Sequence, residues 1–250
     1  KCIAGGKKIL PGNTLYYEDQ SRISLKAEII EKDGTDAVVR FIWKPEEITF
    51  AGVLEITGKT PLPPYIKREA EDSDKARYQT VYANSEGSVA APTAGLHFTD
   101  EILRELKKKG IAQEKLTLHV GPGTFVPVEG NVRNHKMHSE RIHISTETLE
   151  NIKHAYAESK KIICTGTTAV RTLESLYWFG AVLREENANF TAGMPYLEQW
   201  EPYKIREKHC GVPDALQAVI EHSAEKGYFS ANTSLFILPG YDFKLTSGLI

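Results

Sequence analysis

Between Leu15 and Trp43 the chain is dominated by β-branched and aromatic residues, and Asp33-Gly34 falls between two such runs, AEIIEK and TDAVVRFIW. Extended runs joined by Asp-Gly predict a β-hairpin, because the tight connecting turn needs residues that tolerate positive φ. Pro11-Gly12 marks a further turn, so the stretch from Lys1 to about Ile48 reads as a small antiparallel β unit. Prolines crowd TPLPPYI, Thr60 to Ile66, where neither a helix interior nor a central strand accommodates them. The expected organisation is a small β-rich domain at 1–60 and a main α/β domain at 61–250.

Beyond the proline cluster, helical and extended patterns alternate. Thr99 with Asp100 and Glu101 reads as an N-cap and acidic first turn, and Ile102, Leu103 and Leu106 supply the apolar face of a helix that ends by Gly110. Leu116 to Val120 is a short strand, and Ser145 or Thr146 caps a second helix that runs to Ser159. KIICTGTT passes from a buried-type strand into a tight turn; the helix TAVRTLESLYWFG then starts at Thr168 and closes at Gly180. Ala181 to Tyr203 has loop character, with LEQWEPY aromatic enough to dock. Pro213 to Lys226 reads as an amphipathic helix with proline in its first turn, and SLFILPGYDF as a strand ended by Pro239-Gly240.

Composition narrows the class. With 41% hydrophobic and 26% charged residues over 250 positions, the chain has the balance of a folded globular protein. Thirty-one Lys+Arg against thirty-three Asp+Glu give a net charge of -2, so contact with a nucleic acid must come from a local basic face. Cys2, Cys164 and Cys210 stand far apart with no CxxC pair, which suggests neither a disulfide framework nor a structural zinc site and fits a reducing, cytoplasmic setting. No run approaches the ~18 apolar residues of a membrane span. Lys1 is not an initiator Met, and LTSGLI follows a strand-like segment with no closing element, so both termini are expected to be truncated and the main domain incomplete.

Five segments could carry chemistry. APTAGLHF, Ala91 to Phe98, is poor in bulk and leads through His97 into a capped helix, so a ligand could approach its backbone; a tight packing turn around a core histidine is the plainer alternative. LTLHVGPGTFVPV, Leu116 to Val128, delivers His119 to a strand end followed by Gly121, Gly123 and Thr124, where ligands often bind in open α/β sheets, although such turns are also common in plain β structure. NHKMHSE places His135, His138 and Glu140 within six residues, in a spacing unlike a closed metal site; a polar cluster holding substrate fits better than a metal, with a solvated loop as the plainer alternative. In CTGTTAVRTLES, Gly166, Thr167 and Thr168 present amides and hydroxyls at the positive end of a helix, suited to a carboxylate or phosphate, while Arg171 and Glu174 could serve a ligand or pair with each other. In LFILPGYDF, Tyr241 could stack on a base or simply cover the core.

In order and wording these segments, with KKILPG, PLPPYIKR, ARYQTVYA (Ala76 to Ala83), SVAAPTAGLHFT (Ser88 to Thr99) and LPGYDFK, closely resemble the S-adenosylmethionine:tRNA ribosyltransferase-isomerase family of queuosine biosynthesis, over nearly the whole chain. That resemblance implies an enzyme that moves and isomerises the ribosyl part of S-adenosylmethionine onto the aminomethyl group of a deazaguanine at the tRNA wobble position, giving epoxyqueuosine and releasing adenine and methionine. S-adenosylmethionine is then the donor substrate and no metal is implied. The implied fold is a larger α/β barrel-like domain with a small inserted antiparallel β-barrel. Family members usually begin with about a further hundred residues and continue beyond GLI; the stretch from Ala181 to Val212 is longer than in common members and has no assigned role.

On this reading His97 and His119 are the acid/base candidates, because both stand beside glycine-rich openings. Thr93, Gly95, Gly121, Gly123 and Thr124 would line the nucleoside pocket, and Gly166, Thr167 and Thr168 with Arg171 would hold the methionine carboxylate or the ribose hydroxyls. For tRNA, the local cations are Lys67, Arg68, Arg77 with Tyr78, and Arg133, His135 and Lys136. The chain is expected to act as a monomer without membrane contact. A non-catalytic tRNA-binding scaffold would have lost His97, His119 or the GTT turn, and a methyltransferase would carry a GxGxG-type loop; the three former are present and the latter is not found.

Overall fold

The computed structural model describes residues 2–6, 8–18, 23–34, 36–60, 62, 66–84, 91–121, 130, 132–185, 194–204 and 210–250. The chain divides into two compact units, Lys1–Thr60 and Pro61–Ile250.

In the first unit β1 (Cys2–Ile3), β2 (Thr14–Glu18), β3 (Ser24–Asp33) and β4 (Asp36–Lys44) form an antiparallel sheet in the order β1-β4-β3-β2, followed by helix α1 (Phe50–Thr57). The β3–β4 hairpin pairs Asp33 with Asp36, so Asp33 ends β3 and Gly34 lies in the connecting turn, and a bulge falls between Ile29 and Glu31. Pleating sends Phe41 and Trp43 to one face of β4, where both rings meet Phe50 of α1 at 5.1 and 5.5 Å. Trp43 satisfies its indole N–H on the carbonyl of Ile48 at 2.8 Å, and Val53 of α1 is fully buried.

The second unit holds α2 (Asp72–Arg77), a 3-10 turn at Thr93–His97, α3 (Asp100–Lys108), β5 (Thr117–His119), β6 (Glu140–Ser145), α4 (Thr146–Ala157), β7 (Ile163–Cys164), α5 (Thr167–Leu183), β8 (Tyr196–Leu197), α6 (Glu201–Lys204), α7 (Val212–Ser223), β9 (Tyr228–Thr233) and β10 (Gly248–Leu249). One mixed sheet runs β5-β6-β9-β8, antiparallel except for β8 beside β9; β7 and β10 form a separate parallel pair. The expected barrels do not form among the described residues: each four-stranded sheet is open, and the fold is mixed α and β with mainly antiparallel pairing.

Helix caps behave as local chemistry dictates. Thr99 Oγ1 accepts from the Ile102 amide at 3.2 Å, and Ser145 Oγ from the Thr148 amide at 3.1 Å. Two boundaries differ from expectation. SLFILPGYDF does not form a strand: β9 ends at Thr233, whose Oγ1 captures the Leu235 amide at 3.1 Å, while the Leu238 amide goes to the Tyr203 hydroxyl at 3.1 Å. Nor does Gly180 close its helix, since α5 continues to Leu183.

The core explains that glycine. Alternate residues of β6 and β9, including Ile142, Ile144, Phe229 and Ala231, are buried in one core with α5, and Phe179 meets Phe229 edge-on at 5.3 Å. Helix α7 crosses α5 so closely that a Cβ at Gly180 would overlap the backbone carbonyl of Ala215. Gly180→Ala is therefore expected to destabilise the fold by about 3 kcal/mol, read as a lowered denaturant midpoint with an unchanged slope; a midpoint equal to that of the wild type would contradict the close crossing.

Candidate functional site

Every residue of α5 from Val170 to Ala181 is buried, and two of them are charged. A buried charge must find partners or be expelled, and the partners of these two organise the site. Arg171 is 9% exposed. Its guanidinium donates to the carbonyls of His138 at 2.7 Å and Thr233 at 2.8 Å, and lies 3.2 Å from the Glu140 carboxylate. Glu140 and Thr233 are paired neighbours on β6 and β9, so one side chain ties three elements together. Burial lowers the Arg171 pKa and the Glu140 carboxylate offsets only part of that, so the buried guanidinium is costly to disconnect from its partners. Beside it Ser175 Oγ donates to the Arg171 carbonyl at 2.7 Å and shares a 2.7 Å bond with Thr233 Oγ1.

Glu174 does not pair with Arg171. Its carboxylate is fully buried and accepts from the Tyr241 hydroxyl and from the amides of Lys244, Leu245 and Thr246. The same hydroxyl accepts the Trp178 indole N–H at 2.7 Å. Burial, with the carboxylate next to it, pushes the Tyr241 hydroxyl far above the ordinary phenol range, so it stays a proton donor and covers the core.

At the N-terminus of α5, Gly166 adopts φ 86° and ψ 154°, a conformation open to glycine and strained for other residues. It supplies no capping side chain, so among the described residues the first amides of a 17-residue helix have no side-chain cap. A Cβ at this position would sit 3.7 Å from Ala94 Cβ, which places the TAG turn of one motif against the GTT turn of another. Thr167 is exposed and Thr168 half-buried. Gly95 is buried, and a Cβ there would overlap the Tyr82 hydroxyl, while Thr93 and His97 on the same turn are exposed.

His119 ends β5 half-buried, opposite Arg141 on β6, with Gly121 half-buried beyond it. Gly123 and Thr124 lie outside the described residues. The NHKMHSE segment divides: Glu140 points inward, His138 stays exposed, and His135 packs on Phe236 at 5.8 Å. Among the described residues no three His, Cys, Asp or Glu side chains are grouped to hold a metal ion. What fixes the segment is Gln199, which accepts from the Met137 amide at 2.9 Å and donates to the His135 carbonyl at 2.7 Å. Tyr203 likewise bridges the Phe236 carbonyl and the Leu238 amide. The stretch around QWEPY thus clamps two motifs, a role that nothing in its own residues announces.

Of the tRNA candidates, Lys67, Arg77, Arg133 and Lys136 are exposed and Tyr78 is half-buried. Arg68 forms a two-pronged pair with the buried Asp74 at 2.6 and 2.8 Å, and Asp74 also accepts the Glu71 amide. The Arg68 guanidinium, then that amide, hold the Asp74 carboxyl well below the usual carboxylate range. No helix among the described residues is long and apolar enough to cross a membrane.

Two outcomes follow. Arg171→Ala should cost about 3–5 kcal/mol, because it removes the cation that faces the buried Glu140 carboxylate; adding Glu140→Gln should recover part of that loss in chemical denaturation, and strict additivity would refute the pairing. Because the folded Asp74 pKa is depressed, its contribution is present above the unfolded value of about 3.9 and fades as pH falls through and below it. The stability difference between wild type and Asp74→Asn should therefore shrink on acidification from pH ~5; a constant difference would exclude the linkage.

The family model for queuosine biosynthesis proteins matches residues 1–250. Curated relatives include the S-adenosylmethionine:tRNA ribosyltransferase-isomerase of Halothermothrix orenii, 39% identical over 249 residues, which are 99% of this chain and 58% of that protein. The protein of the same name from Nitrosospira multiformis is 40% identical over 241 residues, 96% of this chain and 57% of its own length. That of Maricaulis maris is 46% identical over 178 residues, 70% and 49% respectively. The chain thus spans between 49% and 58% of the length of these relatives. A solved structure, an S-adenosylmethionine tRNA ribosyltransferase from Thermotoga maritima, is similar over 98% of this chain and 50% of its own, with 19% identity and a TM-score of 0.34. Matched by the family model over residues 1–250 and by curated relatives over up to 99% of its length, the chain belongs to the queuosine biosynthesis protein family.

Proposed function

We propose that the protein transfers and isomerises the ribosyl moiety of S-adenosylmethionine onto the 7-aminomethyl-7-deazaguanine base at the tRNA wobble position, yielding epoxyqueuosine-tRNA with release of adenine and methionine. The observation that carries this reading is the 39% identity, across 99% of this chain, to a protein named for S-adenosylmethionine:tRNA ribosyl transfer and isomerisation. The uncapped N-terminus of α5 beside the Ala94 turn supports it, since amides without a side-chain cap at the positive end of a long helix suit the methionine carboxylate.

On this reading Gly166, Thr167 and Thr168 bind the amino-acid end of the donor. Thr93, Gly95, Gly121, Gly123 and Thr124 shape the nucleoside pocket. Arg171 acts through position: with its guanidinium bonded to two carbonyls and facing Glu140, it fixes the start of β6 against α5. The positive sulfur makes the adjacent C–H acidic, and a base must take that proton in a water-poor setting. Exposed His97 and half-buried His119 are the groups offered for proton transfer. Lys67, Arg77, Arg133 and Lys136 would meet tRNA phosphates, with Arg68, Tyr78 and His135 shaping the surfaces that carry them. No metal enters the scheme, and tRNA chemistry of this kind belongs to the cytoplasm.

The test incubates the protein with S-adenosylmethionine and tRNA bearing the precursor base, then weighs the digested nucleosides. Epoxyqueuosine with free adenine is the expected result; adenine release without a mass gain on the nucleoside would overturn ribosyl transfer. His97→Gln and His119→Gln should each lower turnover by about 10²–10⁴-fold while tRNA affinity stays within about twofold. Undiminished product formation would exclude the histidine concerned.

A further inference from the structure

Glu174 is a carboxylate in the middle of a buried helix, and among the described residues its acceptor capacity is used on one loop. Oε2 accepts the Tyr241 hydroxyl at 3.1 Å and the Lys244 amide at 2.8 Å; Oε1 accepts the Leu245 amide at 3.1 Å and the Thr246 amide at 2.9 Å. Three consecutive backbone N–H groups and one hydroxyl converging on a single group form a concave anion-binding nest, here filled by the protein's own side chain. Only a carboxylate offers four acceptor positions on two oxygens. A glutamine of the same shape would turn its NH2 toward at least one backbone N–H.

The loop does not end there. Immediately after Thr246, the Ser247 amide donates to the Ile162 carbonyl at 2.8 Å and Ser247 Oγ accepts the Ile162 amide at 3.2 Å. Gly248 and Leu249 then pair with Ile163 and Cys164. The Ile250 amide donates to the Cys164 carbonyl at 2.9 Å, and the Gly166 amide donates to the Ile250 carbonyl at 3.1 Å. A continuous hydrogen-bonded path therefore runs from Glu174 through the 241–246 loop and β10 to the glycine that opens α5. Both ends of the path are on one helix, two turns apart, so the helix braces its own N-terminal turn through a segment more than seventy positions away in sequence.

We propose that Glu174 is a positioning residue: by fixing the 241–246 loop and through it β10, it holds the Gly166 turn in the left-handed geometry that leaves the first amides of α5 without a side-chain cap. This inference rests on the proposed use of that turn for the methionine end of S-adenosylmethionine, and it adds a residue that touches no substrate. Its local claim does not depend on the reaction.

The experiment is amide hydrogen exchange on the protein without substrate, comparing wild type, Glu174→Gln and Tyr241→Phe. In Glu174→Gln the amides of Leu245, Thr246, Ser247, Ile250 and Gly166 should exchange about tenfold faster or more, while those of Ile142 and Ile144 in β6 keep their protection. Tyr241→Phe, which removes one donor and leaves the carboxylate, should show the same pattern with a smaller amplitude, and it decides the matter if Glu174→Gln does not fold. Uniform acceleration across the unit, or unchanged exchange at Ile250 and Gly166, would overturn the proposal. As a second readout, the KM for S-adenosylmethionine should rise about tenfold with kcat within about twofold. A kcat loss with KM unchanged would contradict it, whereas a protein with no ribosyl transfer at all would defeat the functional reading and leave the exchange result standing on its own.

Discussion

Burying an arginine and a glutamate on one helix, one turn apart, imposes a demand that the surrounding chain has to meet. Neither is satisfied by the other. Arg171 takes the carbonyls of His138 and Thr233 and the carboxylate of Glu140; Glu174 takes three amides and the Tyr241 hydroxyl. Removing one member of such an arrangement leaves an uncompensated charge in a low-dielectric interior, which costs several kcal/mol. The start of β6, the end of β9 and the 241–246 loop are consequently held at fixed places around α5. Apolar packing supplies the bulk of the attraction, but it is non-directional; the two charges decide where the segments stop.

That logic explains why motifs separated by long stretches of sequence share a neighbourhood. HKMHSE contributes Glu140 and the His138 carbonyl, GTTAVRTLES contributes Arg171 and Ser175, and NTSLF contributes Thr233. Gln199 and Tyr203 then fix the approach to the first and the exit from the last. The aromatic contacts His135–Phe236, Phe236–Trp200, Trp200–Tyr203 and Tyr203–Tyr241 follow the same line, with centroids 5.8 to 6.3 Å apart. Much of what reads in the sequence as a run of site motifs is, physically, the set of residues that lets a charged helix be buried.

What the sequence showed in advance was whatever is decided locally. Thr99 and Ser145 cap their helices through side chains three residues from the amides they bind, and the Asp33-Gly34 turn needs only its flanking strands. Distance in sequence defeats the same reasoning. Gly180 looked like a helix terminator because glycine often follows one; it is glycine because Ala215, thirty-five positions later, presses its carbonyl against it. SLFILPGYDF has strand composition, yet Thr233 and Tyr203 take amides that a ladder would have needed. Spacing placed Arg171 and Glu174 on one helix face and allowed a pair, while the actual partners lie on strands and loops that no local rule connects to them. Among the candidate site residues, the contact between the Ala94 and Gly166 turns was not readable, because it joins segments about seventy positions apart, and the commitment of Arg68 to Asp74 depended on where α2 folds back.

For the proposed chemistry, the consequence concerns how an anionic substrate group can be held. A buried arginine beside a glycine-rich turn suggests charge pairing with a carboxylate, but the Arg171 guanidinium already faces Glu140 and gives hydrogen bonds to two carbonyls, and releasing it would break all three contacts. The N-terminus of α5 has the opposite economy: its first amides lack intrahelical acceptors by geometry, and among the described residues no side chain caps them. An anion bound there gains from the helix dipole and from two or three N–H groups without dismantling the core. The condition is that the turn be held rigidly enough to keep those amides parallel, and the path from Glu174 through Thr246 and Ile250 to Gly166 supplies that restraint from inside the same helix.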